Sequence, residues 1–221
     1  MLMQHIFFDN DGTIVDSEIL AVKAMLARLE MHGLNMDVAT YSMRYPGLLE
    51  HDIFRLIQEE HDIELPNFLP ELHQDVVHLF NNHLAVIPGM DTLFRAVKIP
   101  KSMVSNGSVR HVERCFERVG MLSDLPATVF SAEHVEKPKP APDVYHYAMQ
   151  QTGVAPHEAI VIEDSPTGVQ AAKAAGLRVV GFLGATHVGP GHEVRLLESG
   201  ADYLAENADE LGRILQKLGV L

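Results

Sequence analysis

The sequence contains a single cysteine, Cys115, and lacks both long apolar runs and an excess of basic residues. One cysteine excludes an intrachain disulfide, and we expect its thiol to be a small buried side chain in a reducing cytoplasm. No apolar stretch approaches the roughly 20 residues of a membrane-spanning helix, and the N-terminus lacks the basic and apolar regions of a signal peptide. These absences predict a cytoplasmic protein with no membrane partner.

The charge balance is acidic. Asp and Glu number 30 against 17 Lys and Arg, for a formal net charge of −13. Binding to nucleic-acid phosphates needs a basic surface, so we expect no nucleic-acid partner. A small anionic substrate is still possible, because a local cationic site can operate on an acidic surface. No obligate protein partner is evident from the sequence.

The hydrophobic pattern predicts an α/β fold. Apolar strands alternate with amphipathic helices after Pro88, and one further strand lies at residues 4–9. This alternation is typical of a doubly wound (Rossmann-like) parallel sheet with helices on both faces. Residues 17–85 contain helical patterns only, which predicts an inserted helical cap domain. We therefore expect a core domain of residues 1–15 and 86–221 and a cap domain of residues 16–85.

Clustered carboxylates mark the candidate site. The segment "FFDNDGTIVDSE" places Asp9 and Asp11 directly after the first strand, and Ser105 and the pair Glu163–Asp164 stand at the ends of two other predicted strands. Ligands of such sheets bind beyond the carboxyl ends of the strands, so these side chains should converge on one crevice. A bound Mg²⁺, which prefers oxygen ligands, would offset the repulsion between the carboxylates.

Two other metal-site interpretations are weaker. Aligning Gly12 and Glu18 with a calcium-binding helix–loop–helix loop puts Phe7 where the first carboxylate belongs, after a strand instead of a helix. His187 and His192 lie close together in the sequence, but no cysteine or aspartate stands at ligand spacing beside them.

Four segments resemble, in order, the motifs of the haloacid dehalogenase superfamily. They are "DNDGTIVDSE" (9–18), "MVSNG" (103–107), "KPAPDVY" (139–145) and "IVIEDSPTGVQAAKAAG" (160–176). The resemblance covers the whole chain, including a helical cap in the expected place. It is strongest to the β-phosphoglucomutase-like group of sugar-phosphate phosphatases.

The resemblance implies catalytic roles. Asp9 would be the nucleophile that becomes an aspartyl-phosphate, and Lys139 would neutralise the charge shared between Asp9 and the phosphate. Asp11 would protonate the leaving group and then activate water. A general acid must carry a proton when substrate arrives, so we expect the surroundings of Asp11 to raise its pKa.

The resemblance also implies binding roles. Ser105 and the backbone amides of Asn106 and Gly107 would hold the phosphoryl oxygens, and Arg44 and Gly47 of the cap would approach the leaving group. The Mg²⁺ ligands would be Asp9, the backbone carbonyl of Asp11, Asp164 and Glu163, the last either directly or through water.

The predicted function is a Mg²⁺-dependent phosphatase of a small phosphorylated metabolite, a sugar or sugar-acid phosphate. A β-phosphoglucomutase-type mutase is the alternative, but Glu50 and Ala21 stand where the mutase pattern has Arg and His. A phosphonoacetaldehyde hydrolase would need a cap lysine, and Lys23 is the candidate. A dehalogenase would need neither Asp11 nor a metal, and a non-catalytic phosphate-binding regulator would be expected to lose Asp9 or Asp11.

Overall fold

A computed structural model describes residues 3–45 and 50–221, which contain a six-stranded parallel sheet in the order β3-β2-β1-β4-β5-β6. The strands are β1 (His5–Phe8), β2 (Lys101–Ser105), β3 (Val129–Ser131), β4 (Ala159–Glu163), β5 (Arg178–Phe182) and β6 (Tyr203–Ala205). This confirms the predicted doubly wound α/β fold.

Helices cover both faces of the sheet and form a separate block between β1 and the rest of the core. They are α1 (Glu18–Met31), α2 (Val38–Arg44), α3 (Glu50–His61), α4 (Phe68–His83), α5 (Met90–Ala96), α6 (Val109–Arg118), α7 (Asp143–Thr152), α8 (Pro166–Ala174), α9 (His192–Glu198) and α10 (Ala208–Lys217). Short 3-10 helices at Leu122–Asp124, Ala132–His134 and Pro156–Glu158 were not expected from the sequence. None of the helices in the described ranges has the length and apolar composition that a membrane span requires.

The central strand β1 carries apolar side chains to both faces of the sheet. Phe8 packs into one buried cluster with Met103 and Phe94, whereas Phe7 packs into the opposite cluster with Tyr145. Successive side chains of a strand point to opposite faces, and all four residues of β1 are buried. Covering the sheet on both sides in this way fixes β1, and with it the residues that directly follow it.

The helices α1–α4, here called the helical block, have a hydrophobic core of their own. It includes Leu29, Ile57, Phe68 and Leu72, all nearly inaccessible to solvent. The chain enters and leaves the block side by side: Asp16 N–H donates to Ala85 O at 3.0 Å, and Ile87 N–H donates to Ile14 O at 3.0 Å. The division into a core of residues 1–15 and 86–221 and a cap of residues 16–85 stays a prediction, and this pairing supports it.

One histidine is buried in the middle of the sheet. His5 of β1 is 5% exposed, and its Nε2 lies 2.9 Å from Ser102 Oγ in β2. Ser102 Oγ in turn lies 2.7 Å from Thr128 Oγ1. Burial lowers the pKa of His5 from 6.5 to about 4, so the folded sheet holds the neutral imidazole near neutral pH.

We expect acid to destabilise the wild-type protein more than a His5→Gln variant. Because the folded pKa of about 4 lies below the unfolded value of 6.5, His5 contributes stability that is present above pH 6.5 and is lost as the pH falls towards 4. The loss should approach about 3 kcal/mol. Urea unfolding across this pH range measures it, with His157→Asn, at an exposed position, as the control. Equal pH dependence in the wild type and His5→Gln would contradict the assignment.

Candidate active site

The candidate site lies where the strand order of the sheet reverses, between β1 and β4. Asp9 directly follows β1, Glu163 ends β4 and Asp164 comes next, and all three are buried. Asp9 N–H donates to Ile162 O at 3.0 Å, which continues the β1–β4 pairing up to the site. Ligands of open α/β sheets bind at such a switch point, so the predicted convergence of these segments matches the geometry.

A buried lysine connects the two strand ends. Lys139 Nζ donates to Asp9 Oδ1 at 2.8 Å, Glu163 Oε1 at 2.7 Å and the Val104 carbonyl at 2.8 Å. Its side chain is 3% exposed. The three donor positions of the ammonium are thus used within the protein, and they place Asp9 and Glu163 on either side of one positive charge.

Asn106 fixes the backbone of this lysine. Its Oδ1 accepts from Lys139 N–H at 2.9 Å, and its Nδ2 donates to Lys139 O at 3.1 Å. The segment after β2 therefore orients the segment that carries the lysine. This side-chain role of Asn106 was not anticipated from the sequence, which assigned only its backbone amide.

The carboxylates and the lysine perturb one another's protonation. Burial raises the pKa of Asp9 well above 3.8; the ammonium of Lys139 opposes this shift, and the carboxylate of Glu163 adds to it. Burial also raises the pKa of Asp164, and the carboxylates of Glu163 and Asp9 raise it further. Burial would lower the pKa of Lys139, but Asp9 and Glu163 together raise it well above 10.5. Lys139 is therefore charged. Its single positive charge does not balance the three carboxylates of Asp9, Glu163 and Asp164 when all are ionised.

The carboxylates fit a divalent cation. Oxygen atoms of Asp9, Glu163 and Asp164 all lie within 4.8 Å of one another. When ionised they carry three negative charges against the one positive charge of Lys139, which leaves two for a cation to balance. Glu163 is already engaged, since Oε1 accepts from Lys139 and Oε2 accepts from Ser165 N–H and Ser165 Oγ, both at 2.9 Å. Asp9 and Asp164 are thus the better placed direct ligands, with Glu163 orienting Lys139.

The absence of a side chain at Gly12 leaves room for the carboxylate of Asp164. Gly12 has φ +75°, and a Cβ there would lie 1.9 Å from Asp164 Oδ2. Thr13 Oγ1 lies 3.4 Å from Asp164 Oδ1. The turn after β1 therefore passes directly over the carboxylate, which requires a residue without a side chain.

His187, in the loop after β5, and His192, the first residue of α9, lie beside the same aspartate. His192 Nε2 donates to Asp164 O at 2.6 Å, and His187 Nε2 lies 3.5 Å from Asp164 Oδ2. Burial lowers the pKa of His187 to about 4, so the ring is neutral. Within the described ranges, neither histidine belongs to a group of three or more clustered metal-ligating side chains. We therefore assign both to holding Asp164 in place.

Ser105 and Gly107 form the far side of the crevice. Ser105 ends β2, is 2% exposed, and its Oγ accepts from Gly107 N–H at 2.9 Å. Accepting this bond leaves the hydroxyl hydrogen of Ser105 available to donate to a ligand. Ser108 then caps α6, because its Oγ accepts from His111 N–H at 3.0 Å.

Asp11 has surroundings that contradict the sequence-based expectation for its pKa. His111 Nε2 donates to both carboxylate oxygens, at 2.9 and 3.0 Å, and Ser17 Oγ donates to Oδ1 at 2.6 Å. Burial would raise the pKa of Asp11, but the hydrogen bonds from His111 and Ser17 and the charge of His111 lower it overall. The same interaction raises the pKa of His111 to about 10. The expectation of a raised Asp11 pKa was wrong, because it was inferred from the role of a general acid and took no account of this donor.

Sequence reasoning missed His111 altogether. The mutase pattern has its histidine at the position of Ala21 in the helical block and gives no indication of His111. His111 instead lies in the first turn of α6, the helix that follows Ser105 and starts near the carboxyl edge of the sheet. The first turn of α6 must face the crevice at the carboxyl edge of the sheet. A polar residue in that turn is the sequence signal that could have revealed His111.

The predicted residues of the helical block do not join the cluster. Arg44 forms an ion pair with Glu60 at 2.7 Å, which uses its charge inside the block. Gly47 lies outside the described residues. Lys23 is exposed on α1, which offers none of the desolvation that a Schiff-base lysine needs. Asp16 is bound to the loop after β5, because its carboxylate accepts from Thr186 N–H at 3.1 Å and Thr186 Oγ1 at 2.6 Å.

Comparison with known proteins identifies the family. The family model described as haloacid dehalogenase-like hydrolase matches residues 6–182, and the chain belongs to that family. It is 28% identical over 190 residues to 6-phosphogluconate phosphatase of Escherichia coli, covering 85% of this chain and 86% of the relative.

Solved structures show the same architecture. A haloacid dehalogenase-like protein from Agrobacterium tumefaciens superposes with a TM-score of 0.91 at 28% identity, covering 98% of this chain and 99% of that one. A family hydrolase from Deinococcus radiodurans with bound phosphate and sodium has a TM-score of 0.87 at 27% identity, covering 99% and 97%. The family resemblance drawn from the four motifs is confirmed.

We expect Gly168→Ala to disrupt the site, whereas Gly212→Ala should not. A Cβ at Gly168 of α8 would lie 1.6 Å from Glu163 Oε1, so the carboxylate that holds Lys139 must move. The cost should be about 1–3 kcal/mol of unfolding free energy. At Gly212 of α10 the nearest atom, Leu93 Cδ1, is 3.4 Å away, so alanine should stabilise that helix by up to about 1 kcal/mol. Urea unfolding compares the two, and similar stability in both variants would contradict the packing described.

Proposed function

We propose that the protein is a Mg²⁺-dependent phosphatase that hydrolyses a phosphorylated sugar or sugar acid through an aspartyl-phosphate on Asp9. The observation that carries this proposal is the pairing of the buried Asp9 carboxylate with Lys139 at 2.8 Å, at the switch point of the sheet and beside Asp164. A carboxylate is a weak nucleophile, so its placement against an immobilised phosphate must supply much of the rate.

In the first step Asp9 attacks the phosphorus atom. Lys139 binds Oδ1, and we assign Oδ2 to the attack. The hydroxyl of Ser105 and the amide at Asn106 would hold phosphoryl oxygens on the opposite side, while Lys139 offsets the charge that builds up as the phosphoryl group transfers. The bond from phosphorus to the ester oxygen breaks, and Asp11 delivers the proton that the departing alkoxide needs.

In the second step a water molecule hydrolyses the aspartyl-phosphate. Asp11 takes a proton from that water, inorganic phosphate leaves, and the Asp9 carboxylate is restored. The lowered pKa of Asp11 favours the ionised carboxylate, which is the form that can accept a proton. For the first step, Asp11 must carry a proton before the ester bond breaks, and the proton that it takes from water in the second step of the preceding turnover meets this need.

The residues present fit a magnesium ion. Asp9 and Asp164 would hold it through carboxylate oxygens, with the backbone carbonyl of Asp11 as a further ligand and Glu163 in support. When bound, Mg²⁺ would neutralise the phosphate charge and the excess of carboxylates.

The substrate class follows from similarity. The chain resembles 6-phosphogluconate phosphatase of E. coli over most of both lengths, and 6-phosphogluconate is a phosphorylated sugar acid. The phosphate in the D. radiodurans structure agrees with a family site for a phosphoryl group. A small phosphate ester is therefore the proposed partner.

We expect phosphate release from one or more members of a panel of sugar and sugar-acid phosphates, including 6-phosphogluconate, when Mg²⁺ is supplied. Asp9→Asn should abolish turnover because the amide cannot attack phosphorus, and excess EDTA or Asp164→Ala should remove it because the phosphate charge is no longer balanced. Asp209→Asn, at an exposed aspartate of α10, is the matched control. Full activity in EDTA, or turnover by pure Asp9→Asn protein, would refute the mechanism.

We also expect hydrolysis instead of isomerisation of β-glucose 1-phosphate. A mutase must hold a second phosphate, and Glu50 stands where its pattern has an arginine. Like charges about 4 Å apart cost roughly 4 kcal/mol at an effective dielectric of about 20. A coupled assay for glucose 6-phosphate, run beside phosphate release with a sugar bisphosphate activator, measures both reactions. Faster formation of glucose 6-phosphate would assign the protein to the mutases.

A further inference from the structure

His111 is the strongest unexplained feature of the crevice. Its Nε2 lies 2.9 Å from Asp11 Oδ1 and 3.0 Å from Asp11 Oδ2, so a single N–H is shared between both oxygens of one carboxylate. The two residues are 100 positions apart in the sequence and belong to different elements. Such a contact is made by the fold and not by local chain geometry.

The imidazole is itself held from several directions. The N-terminus of α6 is fixed by Ser108, whose side chain accepts from the backbone of His111. The ring lies 5.6 Å from the ring of Phe80, at the end of α4. A Cβ at Gly107 would lie 2.8 Å from His111 Cδ2, so the ring packs directly against the backbone after Ser105. Its orientation towards Asp11 is therefore well determined.

Ser17 completes the restraint of the carboxylate. Its Oγ donates to Asp11 Oδ1 at 2.6 Å from the other side of the hinge. Two donors on one carboxylate define both its direction and its rotation. His111 belongs to α6, whereas Ser17 directly precedes α1, so the carboxylate is held from both sides of the point where the chain leaves the sheet.

We propose that His111 is a positioning residue: it holds the Asp11 carboxylate in the orientation needed for proton transfer in both steps of the phosphatase reaction. This inference rests on the proposed function, since it assigns His111 a role in serving Asp11. His111 acts through Asp11 and does not contact the reacting phosphoryl group.

A metal ion is not required to explain the same cluster. Asp11, His111 and Cys115 do place ligand-type atoms within 4.8 Å of one another. Hydrogen bonds already link all three, because Cys115 Sγ lies 3.6 Å from His111 Nε2 and accepts from Asn10 Nδ2 at 3.3 Å. Cys115 is fully buried, as the sequence predicted, and lies beneath the imidazole.

The test uses p-nitrophenyl phosphate, whose leaving group departs without a general acid. In His111→Ala, attack by Asp9 should stay fast, while water attack on the aspartyl-phosphate should slow because Asp11 is no longer aligned. We expect a burst of about one p-nitrophenolate per active site, followed by steady turnover reduced on the order of 10²-fold, with a lower KM because the aspartyl-phosphate accumulates. With a sugar phosphate, which needs the acid in the first step, the burst of alcohol product should disappear.

Conservative and combined variants separate positioning from other roles. His111→Gln can place an amide N–H near Asp11 and should recover most of the lost kcat. Asp11→Asn should abolish most of the same rate, and adding His111→Ala to it should cost little more, since both act through one carboxylate. Glu113→Ala, at an exposed position on the same helix, is the control and should behave as wild type.

The outcomes distinguish this proposal from the proposed function. If wild-type protein releases no p-nitrophenolate and no phosphate from the panel, the phosphatase assignment fails. If the wild type turns over but His111→Ala matches it, or shows no burst, or if His111→Gln is as slow as His111→Ala, then His111 does not position Asp11. Melting temperatures of all variants show whether any loss comes from unfolding instead.

Discussion

The buried ammonium of Lys139 is the interaction on which the rest of the site depends. It occupies the gap between the ends of β1 and β4, where an open sheet would otherwise gather carboxylates with nothing to offset them. An unpaired charge is costly in such a place, and breaking a buried pair leaves the partner without compensation. The neighbouring structure serves this contact: Asn106 sets the lysine backbone, and Ser165 and Gly168 shape the position of Glu163.

A second charged pair lies at the mouth of the crevice and has a different character. Asp11 and His111 are partly exposed, with side-chain exposures of 22% and 37%, whereas Asp9 and Lys139 are almost inaccessible. Asp11 and His111 can therefore exchange protons with solvent, whereas such exchange is suppressed at Asp9 and Lys139. The division suits the proposed function, in which Asp11 must exchange protons during each turnover and Asp9 need not.

The parts of this structure that sequence could predict are those that follow from local patterns. Strand and helix alternation predicted the sheet. Asp9 and Asp164 could be placed because each follows a strand within a motif, and Lys139 could be placed from its motif alone. The Asp11–His111 contact could not be found in this way, because it depends on how α6 packs beside the turn after β1. For the same reason the direction of the Asp11 pKa shift was predicted wrongly: the pKa is lowered and not raised. The hydrogen bonds to both carboxylate oxygens of Glu163 likewise depend on packing, because Lys139 and Ser165 at the start of α8 must lie on either side of it.

Backbone hydrogen bonds join Ile14–Asp16 to Ala85–Ile87, where the chain enters and leaves the helical block. This pairing has a consequence for how the protein can diversify. Since the chain leaves and re-enters the core at hydrogen-bonded neighbours, the ends of the inserted segment stay together whatever lies between them. Closing such a loop costs little more entropy when its length changes. The helices between these paired segments can be exchanged or lengthened during evolution while the chemistry at the sheet edge is kept. A change in the length of this segment therefore leaves the backbone pairing at its two ends intact.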